Sequence, residues 1–228
     1  MAARRVIEPV SVPSTASIIA DRIRAAIHSG HFAAGQQLHE VELAREFGIS
    51  RGPLREGMQR LTQEGLLISI KNRGLFVVEL TEDDVRDVYL ARESIERTAA
   101  RQIFLTGNPE RAGERLLRIW RDMERAARRN DVAAIGHWDV RFHECLVAQA
   151  KSPRLSRIHR TLMTETKLCI NALGGSYPPP DERVPEHLEL AEAMRAGDPD
   201  LFDRLLTEHM ADAVRRLAKV LPPAARKD

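Results

Sequence analysis

Asp139 and His143 stand four residues apart in the stretch DVRFHECLV, so on a helix a carboxylate and an imidazole project from one face, with Phe142 beside them. His187 and His209 lie eleven residues before and eleven after Asp198, on two helices that meet at Ala196-Gly197-Asp198. At ~1.5 Å rise per residue each ring is ~16 Å from the turn, so an antiparallel hairpin brings them level. One carboxylate and three imidazoles converging in a helical core would suit a borderline divalent ion, zinc first, with nickel and manganese also compatible. Helical histidines are also commonly capped, solvated or hydrogen-bonded, and spacing alone leaves both readings open. His28, His31, His39 and His137 show no such agreement, whereas His159, on a neighbouring helix, stays in consideration. Cys145 follows His143 by two residues and so points about 200° around the helix.

A second constellation is basic. Residues 38–78 read LHEVELAREFGISRGPLREGMQRLTQEGLLISIKNRGLFVV. Val41, Leu43, Ala44 and Phe47 mark a helix of roughly 40–46, and Gly48 is placed for a left-handed stop. Ser50 then caps a second helix with Pro53 in its first turn, packing through Leu54, Met58 and Leu61 and ending near Gly65. Arg51 and Arg55 share one flank at its start, where arginine reads guanine edges and free N–H groups meet phosphate. A hairpin follows, Leu67–Ile70 and Leu75–Val78, turned by Lys71-Asn72-Arg73-Gly74 with two cations at its tip. Residues 51–73 hold five Lys/Arg against two acids, Glu56 and Glu64, so these arginines form a patch rather than scattered solvated charges. The pattern is that of a winged helix-turn-helix, with duplex DNA as partner.

The elements that must position these groups are mostly helical. Of the 228 residues, 1–80 carry ten Lys/Arg and eight acids and 81–228 carry 25 of each, so the net charge of +2 lies in the DNA-binding part. Amphipathic helices are expected near 16–29, 82–105, 109–129, 131–150, 153–172, 182–196 and 199–220, with caps at Thr81, Asn108, Ser152 and Asp198. Gly174-Gly175-Ser-Tyr-Pro-Pro-Pro is the one long loop. The fold class is mainly α: a winged helix-turn-helix of three helices and a small β-hairpin wing over 1–79, then an all-α bundle of six to seven helices over 80–228. Cys145 and Cys169 have no metal-type spacing, no apolar run approaches a membrane span, and Arg4-Arg5 precedes prolines rather than a signal-peptide core, so a cytoplasmic protein is expected.

The elements LA…FGISR, PLRE, RL..EGL and the wing RG resemble the winged-helix domain of the GntR family of bacterial transcription regulators. That resemblance implies that Ser50, Arg51, Gly52, Pro53 and Arg55 form the DNA-contacting helix start, and that Arg73 and Gly74 belong to the wing. DVRFHECLV, EHLELAEAMRAGD and LLTEHM are similar to the FCD ligand-sensing domain of the FadR-like branch, whose metal-containing members place Asp, His, His and His where Asp139, His143, His187 and His209 stand here. ARESIE looks like the R..LE motif of that domain's first helix, which implies an effector-facing role for Arg92. The reading is a DNA-binding regulator, a repressor rather than an enzyme. It would act as a homodimer on palindromic half-sites and sense a small organic acid beside the metal. Two rivals stay open: a metallohydrolase fused to a DNA-binding module, and a metal-free dimerisation bundle. Against the hydrolase, Glu144, Glu186 and Glu208 each adjoin a histidine and point about 100° away from it, so no general base is indicated.

Overall fold

The computed structural model describes residues 13–172, 180–219 and 221, in two compact units, Met1–Val77 and Val78–Asp228. Residues 1–12, 220 and 222–228 lie outside the described residues, as do 173–179, which hold most of the stretch expected from the sequence as a long loop.

In the first unit, α1 (Thr15–His28) is capped by the Ser14 hydroxyl, which accepts from Ser17 N–H, and buries Ala16, Ile19, Ala20, Ile23 and Ile27. That stripe packs on α3 (Arg51–Gln63), where a Cβ built on Gly57 would come within 3.0 Å of the Ala16 carbonyl; the two helices touch backbone to backbone. Arg24 adds a two-pronged ion pair to Glu64 at 2.8 Å. In chain order between them, α2 (Glu40–Phe47) ends at Gly48, whose φ of 65° is the left-handed stop. Leu43 and Ala44 are buried, but Val41, expected on the packing stripe, is 60% exposed. An eight-residue helix has room for only one narrow buried face, and Val41 falls on the other side of it.

The hairpin forms as expected, β2 (Leu67–Ile70) pairing antiparallel with β3 (Gly74–Val77) from Leu67↔Val77 to Ile70↔Gly74, and Asn72 takes a φ of 62° in the turn. A further strand, β1 (Gln37–Leu38), adds to β3 and makes a three-stranded sheet in the order β1-β3-β2. Two residues carry no period, so β1 had no sequence signal.

The second unit, among the described residues, is six helices: α4 (Glu82–Thr106), α5 (Pro109–Arg128), α6 (Val132–Gln149), α7 (Pro153–Ala172), α8 (Pro180–Ala196) and α9 (Pro199–Leu217). Thr81 and Asp84 form a capping box; Asn108, Ser152 and Asp198 each accept from the first turn they precede. The core runs through Ile103, Leu116, Met123, Phe142, Leu146, Met194, Phe202 and Leu206. Helices α5 and α8 meet at Gly113, where an added Cβ would lie 2.4 Å from the Arg195 backbone nitrogen. Trp120 ties the same pair by donating to the Val184 carbonyl at 2.9 Å. This close seat fixes α8, and with it His187.

Candidate metal centre and nucleic-acid interface

Helices α6, α8 and α9 bring His143, His187 and His209 together. Their ligand-capable nitrogens all lie within 4.8 Å of one another, and His143 and His187 are fully buried. What orients the rings is at their backs. His143 donates from Nδ1 to Glu96 Oε2 at 2.6 Å, His209 from Nδ1 to Glu186 Oε2 at 2.8 Å, and His187 from Nδ1 to the Arg183 carbonyl at 2.9 Å. Carboxylates and carbonyls only accept, so each proton sits on Nδ1 and each Nε2 presents a bare lone pair inward. The Nε2 atoms of His143 and His209 are 3.3 Å apart; His187 Nε2 has no hydrogen-bond partner and lies 3.3 Å from Asp139 Oδ1.

Three inward lone pairs and a carboxylate repel unless a cation lies among them. Two ligands at ~2.1 Å from one ion, at a near-tetrahedral angle, are separated by about 3.4 Å, close to the 3.3 Å of the His143–His209 and His187–Asp139 pairs. The donor set therefore fits a divalent metal, and the outward bonds to Glu96, Glu186 and Arg183 are the kind that fix ring orientation and tautomer behind metal ligands.

The electrostatics hold the ligating forms. Burial disfavours the imidazolium of His143 and outweighs Glu96, pulling its pKa down to about 4; burial lowers His209 as well. Burial would raise Asp139, but the His187 ring beside it and the Arg183 charge hold its carboxyl well below the usual range. Glu96 is likewise kept ionised by His143 and Arg92 against its burial, and Glu186 falls to about 2 through His209 and Arg216 despite partial burial.

These shifts set an acid limit on the metal-free fold. Folded His143 resists protonation down to about pH 4, whereas the unfolded chain takes up that proton near 6.5. Between those values the unfolded state binds more protons, so stability falls with pH; above 6.5 neither state is charged and the effect is absent. Metal-free protein is expected to lose roughly 3 kcal/mol through this residue between pH 6.5 and 4. Urea unfolding of metal-free wild type and His143→Asn checks this, and equal slopes for the two would refute it.

Arg92 does not stand free. It is 1% exposed, donates from Nε and Nη2 to Glu96 Oε1 at 3.2 Å, and lies 4.7 Å over the Tyr89 ring. His159 donates to that same oxygen at 3.0 Å. Glu96 thus joins α4, α6 and α7 in one buried network, with His159 one step behind the inward-facing nitrogens. Sequence reasoning missed Glu96 and Glu186 as orienting groups. Glu186 does point away from its neighbour His187, but it does so to reach His209 on α9.

At the other site, Ser50, Arg51, Gly52 and Arg55 are exposed at the start of α3, Pro53 is half-buried, and Lys71, Arg73 and Gly74 are exposed at the wing. Ser50 occupies the N-cap position, yet its side chain makes no cap bond, so the hydroxyl and the first N–H groups of α3 face outward. An added Cβ at Gly52 would meet nothing within 4 Å; packing does not demand glycine there. Gly74, with φ 103° and the Gln37 amide 3.1 Å from its virtual Cβ, is demanded by the wing itself. Gln37 also donates to the Arg73 carbonyl at 2.6 Å, and the Arg73 guanidinium lies 5.4 Å over the Phe76 ring.

Residues 15–77 match the family of bacterial regulatory proteins named gntR, and residues 87–212 match the FCD domain. The chain belongs to the GntR family. As a GntR regulator it is a DNA-binding transcription regulator with an effector-binding FCD domain, and not an enzyme. It is 29% identical over 198 residues, covering 87% of this chain and 86% of the relative, to the "Probable D-xylose utilization operon transcriptional repressor" of Paenarthrobacter nicotinovorans. It is 26% identical to the gluconate operon transcriptional repressor of Bacillus licheniformis, covering 89% and 85%. Its fold is shared with a GntR regulator from Rhodococcus sp. RHA1, at a TM-score of 0.77, 23% identity and coverage of 91% and 99%. E. coli McbR/YncC has the same fold, at a TM-score of 0.76, 18% identity and coverage of 91% and 99%. Among the described residues no helix is long and apolar enough to cross a membrane.

Proposed function

We propose that this GntR regulator is a repressor whose helical domain binds a divalent metal and a small carboxylate effector that sets its operator affinity. The observation that carries the reading is the convergence of three bare Nε2 atoms, each ring held from behind by a carboxylate or carbonyl. His143, His187, His209 and Asp139 would hold one divalent ion, zinc being the first choice for this donor set. When bound, the ion supplies a Lewis-acidic position for an effector carboxylate. Arg92, held on the same Glu96 carboxylate that orients His143, is the second anchor in this reading. The effector acts only if it binds the DNA-competent and incompetent states with different affinity.

Elemental analysis of the purified protein, beside operator binding across a panel of small carboxylates, tests the reading. About one ion per chain and a carboxylate-dependent loss of operator affinity are expected. Metal-free protein with unchanged effector response would overturn it. The repressor sign follows the two relatives named as repressors. Two copies are needed to read palindromic half-sites, so the same preparation should scatter light as a dimer.

On the DNA side, Arg51 and Arg55 would read base edges while Lys71 and Arg73 meet phosphate. Arg51→Ala or Arg55→Ala is expected to weaken operator binding by roughly 1–3 kcal/mol. Lys71→Ala or Arg73→Ala should weaken specific and non-specific duplexes alike and lower the salt slope. Wild-type operator affinity in the Arg51/Arg55 double variant would remove α3 as the reader.

A further inference from the structure

Arg55 is not a free cation on the face of α3. Its Nε donates to Glu40 Oε2 at 2.7 Å, and the two side chains are 64% and 29% exposed. Glu40 is the first residue of α2, where the helix dipole favours a carboxylate. Arg51 and Lys71, by contrast, enter no ion pair among the described residues. The pair sits in a groove between α3 and the wing, lined also by Gln37, Gln59, Ser69 and Gly74.

An acid on a DNA-facing surface is costly by simple electrostatics, because it repels the phosphate backbone. Its position here gives it a use. A guanidinium has five N–H groups in a rigid fork. With Nε held by Glu40, the Nη1/Nη2 end is the edge left to meet an acceptor pair such as O6 and N7 of guanine. The hold also removes rotamer freedom that a long exposed arginine would otherwise lose on binding.

We infer that Glu40 is a positioning and specificity-determining residue: it locks the Arg55 guanidinium for end-on reading of a guanine and penalises DNA that lacks one there. The inference rests on Arg55 being a base reader.

The test uses the full-length protein, a duplex selected by wild type from a random library, and a scrambled duplex of the same composition. Glu40→Ala should bind the selected duplex about tenfold more weakly, yet bind the scrambled duplex as well as wild type or better, since a repelling charge has gone. Glu40→Gln keeps an acceptor for Nε and should recover most of the specific affinity. The loss should be absent when Arg55 is already alanine, which a double-mutant cycle reads directly. Parallel loss on both duplexes would make Glu40 merely structural and overturn the inference. A gain on both would make it merely a repelling charge and overturn the inference equally. If Arg55→Ala itself leaves the selected duplex unaffected, the reading of Arg55 fails first and takes this role with it; loss in Arg55→Ala with none in Glu40→Ala overturns the role of Glu40 alone.

Discussion

His209→Ala is expected to purify with almost no metal, where wild type carries about one ion per chain. With one of three imidazoles gone, the remaining donors are His143, His187 and Asp139, and Glu186 loses the ring it orients. A free ion 100-fold above its dissociation constant stabilises the folded state by about 2.7 kcal/mol. At roughly 2–4 °C per kcal/mol for a chain of this size, the variant should melt about 5–10 °C below loaded wild type. Removing a buried imidazole also opens a cavity, so melting alone does not isolate the ion. The separating measurement is chelation: wild type should fall toward the variant, and the variant should not respond. The variant should still bind operator, because α3 and the wing are untouched, but should no longer respond to a carboxylate. Equal metal content in the two proteins would reduce the histidines to hydrogen-bonded core groups.

Gly113→Ala should cost about 3 kcal/mol or more, a large effect for one methyl group on a helix. Ordinary carbon contacts are ~3.5–4.0 Å, and this Cβ would meet the Arg195 backbone and Cβ at 2.4 Å. No rotamer relieves a clash with backbone, so α5 and α8 must part by about 1 Å. Helix α8 carries Arg183, Glu186 and His187, so the displacement reaches the histidine cluster and should weaken metal retention as well. Gly136→Ala on α6 is the matched control, its virtual Cβ meeting only Ile170 Cγ2 at an ordinary 3.6 Å. There the better helix propensity of alanine should leave stability unchanged or raise it by up to ~1 kcal/mol. Urea midpoints for the two variants decide the matter; equal tolerance would show that α5 and α8 separate at little cost.

The helices were legible because their signals are local. Apolar spacing within a helix, and caps such as Thr81, Asn108 and Asp198, are properties of a few neighbouring residues. The convergence of His187 and His209 was legible for a related reason: a short hairpin turns sequence separation into height along two axes. The groups behind the rings were not. Glu96 reaches His143 across 47 residues, and Glu186 reaches His209 across 23. An angle measured on one helix tells where a side chain leaves that helix, not which neighbour it meets. The strand β1 and the exposure of Val41 were missed because two residues, or one turn, hold too little pattern to choose a face. Glu40, half-buried beside Arg55, looked like any acid in a helix's first turn until the two helices were placed together.

The network around Glu96 bears on how this sequence is free to drift. One carboxylate has only two oxygens, and here one serves His143 while the other serves both His159 and Arg92, all four groups being buried. Losing any one partner strands charge or hydrogen-bonding capacity in the interior, where neither is tolerated cheaply. Positions 92, 96, 143 and 159 should therefore be inherited as a block, replaced together across lineages or retained together. The exposed ion pairs such as Arg86–Glu82 and Arg128–Glu124 face no such bond and should turn over independently.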